Sequence, residues 1–194
     1  MDFEAKEYAR AMVSFTAALE DSASTDVIKA SRYNLALCER MLGQADTARV
    51  DLERYASLYP GDARAAGIAL QLGDLDETAG DLTAAARRCE QALASRPNAR
   101  LATEIQYRLG HCREQASDLD GALRAYASAA AAADRDDPFR LSAVARCAAL
   151  YERRHQYTRA LEAYRDLIRN ASDRELIAAA TDRATRLERT VHAR

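Results

Sequence analysis

A few residues in this chain have the types and spacings that chemistry uses. His111 adjoins Cys112, with Glu114 three positions beyond His111, a set that could hold a metal ion. Adjacent positions on a helix point about 100° apart, so one of the His–Cys pair faces inward, the other outward, and no ligand set closes. Asp74, Asp76 and Gly80 imitate a calcium loop, but Thr78 stands where a third ligand belongs and Ala79 where the turn glycine belongs. Ser, His and Asp occur without the arrangement of a triad, and no glycine-rich phosphate loop follows a strand because no stretch alternates as strands do. Cys38, Cys89, Cys112 and Cys147 show no C-x-x-C spacing and fall at small or apolar repeat positions, so they read as buried thiols. The sequence predicts a chain that is not an enzyme, with no metal and no cofactor.

The elements that position these residues are helices. The 194 residues are rich in Ala, Leu, Arg and Glu, with 7 Gly, 3 Pro and no Trp, a composition that favours helix over interruption. A net charge of −2 gives no bulk pull on nucleic acid. Residues 1–96 carry a net −5 and residues 97–194 a net +3, a mild polarity that reads as solvated helix faces. No run approaches the ~20 apolar residues of a membrane span, and the opening MDFEAKEYARAMVSF lacks the apolar core of a secretory signal. The chain therefore carries no address: cytoplasmic by default, periplasmic if cut from an exported protein.

One column of small residues recurs at Ala11, Ala48, Ala85, Ala122 and Ala160, at steps of 37, 37, 37 and 38. A second runs through Phe15, Leu52, Cys89, Tyr126 and Tyr164, and a third through Ala18, Tyr55, Ala92, Ala129 and Leu167. Such a period marks stacked helix pairs that pack only on their neighbours. The units read as a partial 1–24, then 25–61, 62–97, 98–136 and 137–172, with a capping helix over 173–192. Helices are expected near 25–42, from 45 to Pro60-Gly61, from Asp62 as cap, over 82–95, from Asn98, up to about Ala133, and over 138–154 and 157–171. Ser172 and Glu175 have the spacing of a capping box. Residues 3–20 match the second helix of a unit without its first, so they act as a cap or the chain is cut from a longer protein.

Leu72, Gly73, Gly80, Leu82, Ala85, Ala92 and Pro97, with Leu35, Ala36, Gly43, Ala48, Tyr55 and Pro60, carry a pattern that resembles the tetratricopeptide repeat. Leu109-Gly110 and Tyr126 repeat it, and Cys147-Ala148 stands in for Leu-Gly in the last unit. The resemblance implies an all-α, right-handed α-solenoid of antiparallel helix pairs, although the step exceeds the family's about 34 residues. Tyr59-Pro60-Gly61-Asp62 and Tyr107-Arg108-Leu109-Gly110 are similar to bacterial envelope members such as outer-membrane assembly lipoproteins and the Tol–Pal coordinator. The family lines a concave groove with its first helices, which here implies Tyr33, Leu37, Arg40, Met41, Leu70, Asp74, Tyr107, Arg108 and His111 as partner-binding residues. The carboxylate clamp of chaperone-binding relatives is absent from those columns. The implied function is a scaffold that holds a protein, peptide or helix in the groove, in a bacterial envelope complex. The alternatives are a regulatory or sensor segment of a larger protein, and a module that self-associates through its N-terminal edge around Tyr8, Met12 and Phe15.

Overall fold

A computed structural model describes residues 2–192; Met1, Ala193 and Arg194, the extremes of the array as read from sequence, lie outside the described residues. Ten helices follow in order: α1 (Asp2–Asp21), α2 (Thr25–Met41), α3 (Ala45–Leu58), α4 (Ala65–Thr78), α5 (Leu82–Ala94), α6 (Ala99–Gln115), α7 (Leu119–Ala130), α8 (Pro138–Arg153), α9 (Tyr157–Asn170) and α10 (Arg174–His192). No strand occurs among the described residues. Each helix packs chiefly on the one before it and the one after it, and α6 also touches α8. This is the nearest-neighbour packing of an α-solenoid.

The turn inside each complete unit is one motif used four times. Gly43, Gly80, Ser117 and His155 have φ of 76°, 82°, 65° and 58°. At each, the following amide donates back to the carbonyl five residues earlier: Gln44 to Glu39, Asp81 to Asp76, Asp118 to Arg113 and Gln156 to Tyr151, at 2.8–2.9 Å. The left-handed residue's own amide takes the carbonyl three before it. Together these bonds close a helix end in a Schellman motif. Glycine suits it because a Cβ crowds the left-handed conformation.

Helix starts depart from the sequence reading in two places. Asp81, Asn98, Asp118 and Asp137 cap α5, α6, α7 and α8 by accepting amide hydrogens, and Pro138 follows Asp137 at the first helical position. Asp62 caps nothing: its carboxylate accepts from the Arg64 amide at 3.0 Å inside a turn, and α4 starts only at Ala65. The capping box is also replaced, since Asp173 rather than Ser172 accepts from the Glu175 amide, at 2.9 Å. Nor does α7 run to Ala133. It ends at Ala130, because Asp137 must be extended to cap α8 and the chain has to turn back before it.

The three columns form the core. Ala48, Ala85, Ala122 and Ala160 are at most 1% exposed, and their small size lets paired helices approach. Leu52, Cys89, Tyr126 and Tyr164 fill the space beside them, and all four cysteines are buried. Gly110 is fitted to this packing: a Cβ there would sit 2.6 Å from the Tyr126 ring. On α1, Ala11, Phe15 and Ala18 stay half-buried. At the far end α10 buries Ala180, Ala184 and Leu187. Its Thr181 and Thr185 stay exposed and bond to their own helix carbonyls. No helix among the described residues is long and apolar enough to cross a membrane.

Candidate partner-binding site

The first helices of successive units, α2, α4, α6 and α8, bear the residues that sequence assigns to partner binding. Tyr33 is half-buried, its ring edge-on to Tyr55 at 6.4 Å, and burial raises its phenol above the ordinary range. Leu37 is half-buried beside it and Met41 is 51% exposed. Leu70 is a correction: it packs with Ala66, Ala69, Cys89 and Ile105 in the core and has almost no surface to offer a partner. Its neighbours crowd it because α4 is the most apolar of the first helices.

The charged members are paired with one another. Asp74 lies between two guanidinium groups, Arg40 at 3.7 Å and Arg108 in a short contact. Arg108 also holds Glu104 at 3.0 Å. Burial pushes the Asp74 carboxyl up, while the two arginines pull it down. His111 faces Glu77 at 3.4 Å and lies parallel to the Tyr107 ring. Cys112, its neighbour, points into the core, so the two do separate as helical geometry requires. Tyr107 leans on Tyr126 and Phe139, with ring centres 5.7 and 5.8 Å away. It is thus partly a packing residue.

A regular feature escaped the sequence reading. Arg40, Glu77, Glu114 and Glu152 occupy one register position in four units; the first three reach the first helix of the next unit, and Glu152 reaches the final helix α10. Their partners are Asp74, His111, Arg146 and Arg183, at 3.3–3.9 Å. In the last two units the same glutamates also accept a tyrosine hydroxyl, Tyr126 to Glu114 and Tyr164 to Glu152, both at 2.9 Å. The result is a ladder of ion pairs along the first-helix wall. Periodicity at 40, 77, 114 and 152 was available in the sequence, but the partners were not, since they differ in type and offset.

Among the described residues no three His, Cys, Asp or Glu side chains converge to hold a metal ion.

Residues 30–62 match the family model described as a tetratricopeptide repeat. The fold is similar to the crystal structure of MamA, at 18% identity over 88% of this chain and 95% of that one, with a TM-score of 0.67. It is similar to YrrB, described as a TPR protein with an unusual peptide-binding site, at 20% identity over 91% and 84% of the two chains, TM-score 0.63. BtubC from P. vanneervenii gives 16% identity, 96% and 93% coverage and a TM-score of 0.66. No curated protein matches by sequence.

Proposed function

We propose that the chain is a tetratricopeptide repeat protein and a non-catalytic scaffold that holds a peptide or helix against its first-helix wall, in the groove that such stacking leaves. The observation that carries this reading is the mixture on that wall of exposed and half-buried apolar side chains, Tyr33, Leu37 and Met41, beside an ordered ladder of ion pairs. Large apolar anchors beside fixed charges are what helix-in-groove and extended-peptide recognition use, and tyrosines often dominate such interfaces. YrrB, a structure of similar fold, is described by its peptide-binding site. The placement in a bacterial envelope complex rests on the Tyr59-Pro60-Gly61-Asp62 and Tyr107-Arg108-Leu109-Gly110 phrases.

The test is a pull-down with the intact protein, a Tyr33→Ala/Tyr107→Ala double variant and Met41→Glu. Met41 is more than half exposed, so its replacement leaves the core alone, whereas Tyr107 helps seat Phe139. Partners recovered by the intact protein should fall by about tenfold or more with either variant, an interface loss on the order of 1.4 kcal/mol, with circular dichroism unchanged. Equal recovery at intact helicity removes the groove as the binding site. Self-association through α1 is a second reading, favoured by Val13 at 71% exposure and by half-exposed Tyr8, Met12 and Phe15. Light scattering across a dilution series separates the two.

A further inference from the structure

Asp76 and Glu39 occupy the same position in successive units, one residue set back from the ladder, and their surroundings are opposite. Asp76 is buried, and two cations reach it: Arg49 from the preceding second helix at 2.5 Å and Arg88 from its own unit at 3.5 Å. Thirty-seven residues earlier in the register those two arginines become Met12 and Asp51. Glu39 is 4% exposed, yet its carboxyl acts against a second carboxyl, that of Asp51 on α3; its Oε2 atom, like Oδ2 of Asp76, is buried without a hydrogen-bond partner, but among the described residues only the Asp76 oxygen has a guanidinium within 4 Å. The cations nearest in sequence do not serve it: Arg40 is spent on Asp74. From α3 the ionisable group acting on Glu39 is Asp51; among the described residues none on α1 or α4 does so, and Cys38 beside it on α2 is itself raised by burial.

A buried carboxylate that faces a second, half-buried one ionises at a cost. We propose that the Glu39–Asp51 pair is a proton-operated joint, closed while one proton is shared between the two carboxyls and loosened in the α2–α3 hairpin when that proton leaves. Glu39 also accepts, through its backbone carbonyl, the Gln44 amide that closes the turn between those helices, so a shift of its side chain acts on the hairpin directly. Burial, with the Asp51 charge adding to it, pushes the Glu39 carboxyl up to about 7. A carboxyl raised on folding binds its proton more tightly in the native state, so stability is highest at acid pH and falls as pH climbs towards and through about 7. The helix so controlled carries Tyr33, Leu37, Arg40 and Met41. The functional consequence, weaker capture above neutral pH, rests on the groove reading; the joint itself does not.

Hydrogen exchange on the free, intact chain at pH 6 and pH 8, corrected for intrinsic rates, tests the joint with no partner present. Protection of α2 and α3 amides should fall by about tenfold over that interval, while α8 and α9 keep theirs. Glu39→Gln, which removes the charge, and Met12→Arg, which restores the cation that Asp76 enjoys, should each flatten the response. His111 and His155 sit in units four and five, away from the amides being read. Unchanged wild-type protection, or a pH response kept by the variants, overturns the proposal. Should Glu39→Gln fail to fold, Met12→Arg decides it alone. A negative pull-down with the tyrosine variants would leave this result standing, so the two readings fail separately.

Discussion

Where the second unit meets the third, Lys29 reaches Asp62 at 3.1 Å, Arg49 reaches Asp76 at 2.5 Å and Arg88 reaches back to Glu53 at 2.9 Å. Where the fourth meets the fifth, Tyr107 lies against Phe139, and Tyr126 with Ala122 and Ala129 packs on Ala143, Cys147 and Leu150. Both joints share the small and large columns, and each has its apolar cluster. They differ in emphasis: the earlier joint is ringed by a lattice of ion pairs, whereas the later one sets a ring contact across the joint beside two ion pairs, Glu114–Arg146 at 3.9 Å and Asp120–Arg154 at 2.7 Å. Their turns differ too, with glycine at Gly43 and Gly80 against Ser117 and His155. A repeat fixes where helices meet, and leaves open which force holds them there.

At the earlier joint the polar contacts reinforce one another. The Arg64 amide donates to the Asp62 carboxylate and the Lys29 ammonium lies beside it, which together hold that carboxyl down at about 2. The Arg64 guanidinium also donates to the Tyr55 hydroxyl at 3.3 Å. Charges of this kind, with side chains partly in water, are screened by salt; packed rings are not.

The strongest way to break the contrast is a methyl group. Gly110→Ala places a Cβ against the Tyr126 ring at 2.6 Å, and should cost about 1–3 kcal/mol through overpacking. Gly73→Ala, the same position one unit earlier, meets the Arg88 Cβ at 3.3 Å and the Ala85 carbonyl oxygen at 3.6 Å and should change stability by less than about 1 kcal/mol, helix propensity offsetting the tight contact. Thermal unfolding of both variants side by side checks the difference; equal losses would remove the role given to Tyr126. Next in size, Asp76→Ala leaves Arg49 and Arg88 without their shared partner and should cost about 1–3 kcal/mol. That loss should shrink in 1 M salt, where the screening length is about 3 Å, whereas the Gly110→Ala loss should not; urea unfolding at two salt concentrations reads both. The smallest effect has the opposite sign. Ser117→Gly relieves a left-handed serine and should stabilise the chain by about 1 kcal/mol, seen as a higher melting temperature, while Gly80→Ser should do the reverse.

Much of this was legible in residue order. From Ala48 onward the alanine column predicted which positions are buried, because a helix pair that approaches closely admits nothing larger, while Ala11 on α1 stays half-buried. His155 stands at the turn position that Gly43 and Gly80 mark, and its φ of 58° follows. The start of α4 was not legible. Asp62 has the right type for a cap, yet its carboxylate is drawn to Lys29 on another helix, a partner that local sequence does not announce. The binding wall was half legible: Tyr33 and Met41 keep surface, while Leu70, of equal standing in the register, is swallowed by the cluster around Ile105.

Residue order alone determined the period, the helix pairs, their turns and the small-against-large fit of the columns, since each depends on contacts repeated at fixed spacing within or between adjacent helices. Only the folded chain decided which charges meet. The partner of Arg40, Glu77 or Glu114 lies on the next unit, and its identity depends on the angle at which two helices come together. The same is true of Glu39: the register shows Met12 and Asp51 in the places of two arginines, but only the folded chain shows that its carboxyl is buried there.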